Sequence, residues 1–311
     1  MNSHHTRRYV GAMLFSALCI GSAWAQAHAT GEPEIIFHKT NPQQAGAPTA
    51  GSTGIQTPLI TYHGGPVMIT PTVYVIWYGN WNQSNGSDNA GGQAIVRDML
   101  HGLNNSPYYQ INTSYSVPSG SINIGAEYAD SYSQGKRLSD SKVQAVVSNA
   151  ISGHLPNESY GVYFVLTSSD VAESSGFCTR YCGWHTAATI AGSNIKYSFV
   201  GNANRCLSAC AAQTTGPNGN AGVDGMVSVI AHELEETNTD PNPRSGWADS
   251  NGSENADKCA WTFGSAQSVA SNGAYYNMSL PTSTGGSRNY LIQRNLDYNS
   301  LCYVNYQTKA Q

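Results

Sequence analysis

The chain has 311 residues, with 15 Lys+Arg against 19 Asp+Glu, and only 11% of its residues are charged, where a soluble domain usually carries ~25%. It has no basic run and its balance is acidic, which excludes a nucleic-acid-binding surface. Gly, Ser, Asn, Thr and Tyr fill the surface in place of charge, a composition common among exported proteins.

Arg7 and Arg8 precede a short apolar run from Val10 to Ile20, and Ala23-Trp24-Ala25 supplies small residues for signal-peptidase cleavage. Residues 1–25 are therefore expected to be a signal peptide cut near Ala25, giving a soluble protein secreted to the periplasm or the extracellular space. Without Arg7 and Arg8, 13 basic residues face 19 acidic ones, a net charge of about −6. No run approaches the ~20 apolar residues that a membrane span needs. Residues 26–57 are rich in Pro, Gly, Gln, Ala and Thr without periodicity and read as a flexible leader. Order is expected from Leu59-Ile60-Thr61-Tyr62, with residues 58–311 as a single domain that has a C-terminal lobe from about residue 242.

Thr72 to Tyr78 is a continuous β-branched and aromatic run, the pattern of a central buried strand. Gly91 to Leu103 has helical spacing through Ile95, Met99, Leu100 and Leu103. Ser121 to Tyr128 reads as a strand, and Leu138 to Ile151 as a helix that starts near Ser139 and Asp140. Tyr160 to Leu166 is a second buried strand and Lys196 to Val200 a third. A further helix spans about 222 to 238, with Val223, Met226, Val229 and Ile230 on its buried face and Asp224 with Gly222 at its cap. Thr237-Asn238-Thr239-Asp240-Pro241 ends it, because proline and short polar side chains stop helices. Beyond Gly246 the chain is loop-rich. Alternating strands and helices imply an α/β (α+β) fold, a mixed sheet with packed helices.

If Cys19 leaves with the signal, Cys178, Cys182, Cys206, Cys210, Cys259 and Cys302 remain. Six cysteines in an exported chain point to three disulfides of open connectivity. The two C-x3-C pairs also have zinc-knuckle spacing, but an oxidising compartment favours bridges. A bridge from Cys259 would anchor the acidic segment just before it.

The segment His232-Glu233-Leu234-Glu235-Glu236 reads H-E-x-x-E on the last helix. His232 and Glu236 lie one turn apart on one face, so an imidazole and a carboxylate can share a divalent ion. Glu233, one residue on, would flank a metal-activated water as general base, the logic of H-E-x-x-H zinc hydrolases with a carboxylate as second ligand. The plainer reading is the solvated face of a surface helix. Against it stand the apolar entry from Met226 to Ala231 and the concentration of scarce acids here and between Asp249 and Asp257.

Hydrolytic zinc needs a third protein ligand. Asp240 lies about 12 Å along the axis from His232 and could reach only if the helix unwinds at Asn238. Glu254 and Asp257 leave enough chain to turn back, so Glu254 is expected as third ligand and Asp257 as the residue orienting His232. Either could instead cap a short helix. His185, after Cys182-Gly183-Trp184, is a candidate for the cleft wall, its ordinary alternative being a structural histidine beside a disulfide. No G-x-S-x-G or phosphate-binding glycine loop is present, so Ser-His-Asp and nucleotide chemistry lack support.

The order Phe177-Cys178-x3-Cys182-Gly183-x-His185, Phe199-Val200-Gly201-Asn202, Cys206-x3-Cys210 and Gly222-Val223-Asp224-Gly225-Met226-Val227 resembles the Exordium, or phosphate-induced protein, family. Tyr62-His63-Gly64-Gly65-Pro66 and Ile76-Trp77-Tyr78-Gly79 match that family's opening pattern. The resemblance runs from about residue 60 to the C-terminus and implies secretion, a shared fold and disulfides. Plant members are associated with extracellular control of growth. This chain resembles a bacterial branch that carries the His-Glu pair with the T-D-P and G-x-E-x-x-D-x-C blocks, which look like a zincin-type helix and its downstream acidic ligand.

Two readings follow. The first is a secreted zinc metallopeptidase that acts on a peptide or protein, with His232, Glu236 and Glu254 as ligands and Glu233 as base. The second is a non-catalytic extracellular binding or signalling protein with a cell-surface ligand. A calcium-stabilised adhesive domain fits less well, because a histidine ligand favours zinc over hard cations.

Overall fold

Six strands, β1 (Glu34–Phe37), β2 (Thr72–Tyr78), β3 (Asn123–Asp130), β4 (Gly161–Thr167), β5 (Tyr181–Ile190) and β6 (Ser193–Gly201), form one mixed sheet in the order β1-β5-β6-β4-β2-β3. The computed structural model describes residues 48–307 and the backbone of 34–37. The expected signal peptide and residues 26–33 and 38–47 of the expected leader lie outside the described residues. Everything described belongs to one compact unit, Gly31–Gln311.

The pairs β2–β3, β2–β4 and β4–β6 are parallel, while β5 runs antiparallel to β6 and β1 antiparallel to β5. Strands covered on both faces lose alternation. That is why TVYVIWY is buried at all but its first residue and GVYFVLT throughout. At the opposite edge β3 is mostly exposed, and its Glu127 accepts bonds from Trp77 Nε1 and Arg97 Nε.

Three main helices cover the sheet: α1 (Ala90–Leu103), α2 (Asp140–Gly153) and α3 (Ala221–Thr239). Asn89, Ser139 and Asn220 cap them, each side chain accepting from a backbone N–H of the first turn. The cap of α3 is thus Asn220, not the expected Asp224 with Gly222. Asp224 instead reaches back to accept from the Asn218 and Asn220 amides. The crossovers β2-α1-β3 and β3-α2-β4 run in opposite directions along the sheet, which puts α1 and α2 on opposite faces. α3 packs with α1, so it shares that face, over β5 and β6.

Every residue of α3 from Gly222 to Thr239 is buried, five ionisable side chains included. Ile230 and Leu234 are fully buried, and burial of such side chains contributes roughly 2 kcal/mol each. The close packing depends on Gly183 of β5. A Cβ there would stand 2.6 Å from Val229 Cγ1 and 3.1 Å from Glu233 Oε1.

The disulfides are Cys178–Cys206, Cys182–Cys210 and Cys259–Cys302. The two C-x3-C pairs therefore bridge one another, a ladder between the start of β5 and the helical turn after β6, and leave no thiolate for a zinc knuckle. The third bridge sits in the loop-rich C-terminal part. Residues before Leu59 are already engaged: the carbonyls of Thr49 and Ala50 accept from Phe263 and Gly264, and Gln56 donates to Ser300. No helix among the described residues is long and apolar enough to cross a membrane.

Candidate metal centre

Helical spacing puts His232 Nε2 2.7 Å from Glu236 Oε1. Glu233, about 100° further round the helix, faces β5, where His185 Nδ1 lies 3.3 Å from Glu233 Oε2 and 3.5 Å from Glu236 Oε2. The two oxygens of Glu236 are thus divided between two imidazoles.

The chain returns to this place after α3. Asp257 N–H donates to Glu236 Oε1 at 3.0 Å, and Asp257 Oδ1 stands 3.5 Å from His232 Nε2. Glu254 Oε2 lies 3.4 Å from the other nitrogen of the second ring, His185 Nε2. The second carboxylate beside His232 is therefore that of Asp257, while Glu254, expected as the third ligand, faces His185.

Asp240 does not join them through its carboxylate. The helix persists to Thr239, and the Asp240 side chain accepts the amides of Arg244, Ser245 and Gly246. Its carbonyl does contribute, accepting from His185 Nε2 at 3.3 Å. The segment Tyr62-His63-Gly64-Gly65-Pro66 clamps this turn. His63 and Gly65 donate to the Gly246 and Ser245 carbonyls, and Met68 donates to Asn238 at the end of α3.

Ring tautomers follow from the neighbours. Gln293 Oε1 accepts from Trp261 N–H, which turns the Gln293 amide nitrogen to His232 Nδ1 at 3.0 Å. His232 Nδ1 therefore accepts, and Nε2 carries the ring proton, near Glu236 but without a hydrogen-bond partner. For His185, the Asp240 carbonyl can only accept, so Nε2 carries a proton and Nδ1 points at two carboxylates.

His185, His232, Glu233 and Glu254 have no exposed surface and Glu236 has 1%; Asp257 is largely buried. Among the described residues no Lys or Arg pairs with Glu233, Glu236 or Asp257. Burial disfavours the His185 and His232 cations, but the carboxylates of Glu233, Glu236 and Asp257 outweigh it and raise both imidazoles. Burial pushes the Glu233 carboxyl up. At Glu236 the two imidazoles overcome burial and hold the carboxyl down. Glu233 Oε1 is buried with no hydrogen-bond partner. His185, Glu233 and Glu236, and separately His232, Glu236 and Asp257, bring donor atoms within 4.8 Å of one another.

Glu235 points elsewhere, taking a 2.6 Å bond from Asn295 Nδ2. The sequence had no signal for Gln293. For the central place of His185 it had only the Cys-Gly-x-His block.

Residues 60–300 match the family described as Phosphate-induced protein 1 conserved region. Protein EXORDIUM-like 3 of Arabidopsis thaliana is 31% identical over 278 residues, covering 75% of this chain and 79% of that protein. Protein EXORDIUM-like 5 of the same plant is 33% identical over 217 residues, 58% of each chain. Protein PHOSPHATE-INDUCED 1 of Nicotiana tabacum is 29% identical over 220 residues, 59% of this chain and 65% of its own.

Proposed function

This chain belongs to the phosphate-induced protein 1, or Exordium, family, and from that premise we propose that it is a secreted zinc-dependent hydrolase of peptides or proteins. The reading is carried by one observation: His232, Glu236 and Asp257 converge from α3 and the following turn in a buried place where, among the described residues, no Lys or Arg pairs with Glu236 or Asp257. Uncompensated buried carboxylates are costly unless a cation neutralises them. Secretion is supported by three disulfides, which persist in oxidising compartments, and by the sequence from Arg7 to Ala25.

The donors suit zinc, a nitrogen and two carboxylate oxygens. Two donors on one tetrahedral ion with bonds of ~2.1 Å stand about 3.4 Å apart, close to the 3.5 Å between His232 Nε2 and Asp257 Oδ1. His232 Nε2 and Glu236 Oε1 stand closer, at 2.7 Å, and would open by ~0.7 Å to reach that spacing. An ion at Nε2 would need that nitrogen unprotonated, whereas Gln293, held by the Trp261 N–H, presents its amide nitrogen to Nδ1.

Bound zinc supplies Lewis-acid polarisation and a water of lowered pKa. Glu233, which follows His232 on α3 and faces His185, would serve as general base. Glu254 and the Asp240 carbonyl hold the His185 ring that faces Glu233. The test is elemental analysis of exported, never-refolded protein, paired with Glu233→Gln. The reading expects stoichiometric zinc in both and peptide cleavage only in the parent. Protein without metal ends it, and a fully active Glu233→Gln ends its hydrolytic part.

The complete burial of His232 and Glu254 favours a second reading, because structural zinc sites are closed and catalytic ones keep an open position. In that reading the chain is an extracellular binding or signalling protein with a cell-surface ligand, and the metal only holds the turn at Asp257 to α3. Zinc-loaded protein that cleaves nothing in a broad peptide library would select it.

A further inference from the structure

We infer that the centre has a second divalent-cation shell, formed by His185 Nδ1, Glu233 Oε2 and Glu236 Oε2, and that Glu236 bridges it to the first. The inference rests on the zinc reading above for its first ion. The second shell stands on its own geometry.

The donor atoms fall into two groups, and Glu236 is the only residue in both. Its Oε1 faces His232 and takes the Asp257 amide, while its Oε2 faces His185. A carboxylate that offers one oxygen to each of two ions holds them at roughly the 3.5–4 Å of two-metal sites.

His185 supplies the strongest argument. The Asp240 carbonyl accepts from Nε2, so that nitrogen keeps its proton. Nδ1 then presents either a second proton or a lone pair to carboxylate oxygens at 3.3 and 3.5 Å. Charge-assisted hydrogen bonds from nitrogen are shorter, about 2.7–2.9 Å. The observed distances instead match the ~3.4 Å expected between donors on one tetrahedral ion. Glu254 Oε2 beside Nε2 completes the carboxylate–imidazole–ion arrangement that orients a ligating histidine.

A second observation points the same way. Glu233 is fully buried and its Oε1 has no hydrogen-bond partner. Gly183 leaves room beside that oxygen, since a Cβ would stand 3.1 Å from it. Filling this shell engages Glu233, so the second ion withdraws the proton acceptor assigned to the first.

The full exported chain, stripped by chelator, is titrated with Zn2+ and its saturating stoichiometry measured. Two ions per chain are expected, falling to one in His185→Gln, to one in His232→Gln and to none in Glu236→Gln. Saturation at one ion that is lost in His232→Gln and kept in His185→Gln overturns this inference and leaves the zinc reading standing. One ion lost in both histidine variants means a single shared site and also overturns it. One ion kept in His232→Gln and lost in His185→Gln supports the second shell and overturns the first. No bound ion overturns both. Co2+ titration of the unaltered chain needs no variant to fold: the high-spin signal of the first equivalent should fade as the second binds, because a shared carboxylate couples the two ions. Two additive, independent signals would overturn the bridge.

Discussion

His185 Nδ1 and Glu233 Oε2 meet at 3.3 Å across 48 residues of sequence, a contact between β5 and α3 that exists only because the strand carries glycine at 183. The helix lies so close to the sheet there that a side chain of any size has no place.

Gly183→Ala should therefore act as overpacking, at a cost of about 1–3 kcal/mol, or several degrees in Tm for a domain of this size. Its built Cβ meets Val229 at 2.6 Å and the Phe199 carbonyl at 3.0 Å, so relief requires α3 to move off the strand. Differential scanning calorimetry beside the parent checks this, and an unchanged melting point would contradict it.

Asp224 gives a pH signature away from the centre. Burial pushes its carboxyl up to about 6, against the hydrogen bonds from Asn218 and Asn220. A folded-state value above the unfolded one means that the proton favours the fold. The contribution is complete below about pH 4 and is lost as pH rises through 6. It amounts to about 2–3 kcal/mol. Asp224→Asn should flatten the stability profile between pH 4 and 6, read from urea midpoints at several pH values. An equal slope in both proteins would count against the assignment.

Adjacent glutamates on α3 should behave oppositely. Glu235 turns to Asn295 and Glu236 to both histidines. Glu235→Gln is expected to keep the parent's zinc content, whereas Glu236→Gln should lose at least ~100-fold in affinity, more than an outer partner of a ligand costs. Competition with a chromogenic chelator measures both. Equal losses would mean that the helix face is misassigned.

Cys259–Cys302 closes a long loop and ends the short turn that carries Asp257. Replacing both cysteines with serine should cost up to about 4 kcal/mol by chain entropy and weaken zinc binding as well, because the turn loses its anchor. Zinc affinity equal to the parent's would show that the turn is held by its other contacts.

The strands β2 and β4 and the helix α3 were legible because burial on all sides leaves uninterrupted apolar runs or strict helical spacing. β5 was not. Its Cys-Gly-Trp-His-Thr-Ala-Ala-Thr is short of the large β-branched residues that announce a strand, since glycine and alanine are what a closely packed helix requires. The cap of α3 fell to Asn220 because two polar residues near the start compete, and only the backbone turn decides between them. Within the centre, His232, Glu233 and Glu236 could be read from helical spacing. The choice between Glu254 and Asp257 could not, since it depends on how the loop after Asp240 folds back. That path is set by the clamp from His63 and Gly65, some 180 residues earlier in the chain.

The depth at which these donors lie has a kinetic consequence. With His185, His232, Glu233 and Glu254 wholly cut off from water, an ion can come or go only when the loop from Asp240 to Cys259 parts from the helix. Exchange of an ion held there would be as slow as that local unfolding, and a chelator would act on the clock of the loop and not of diffusion. A molecule that closed around its ion would carry it through surroundings that strip shallower sites, and one that closed without it would be slow to make good the lack.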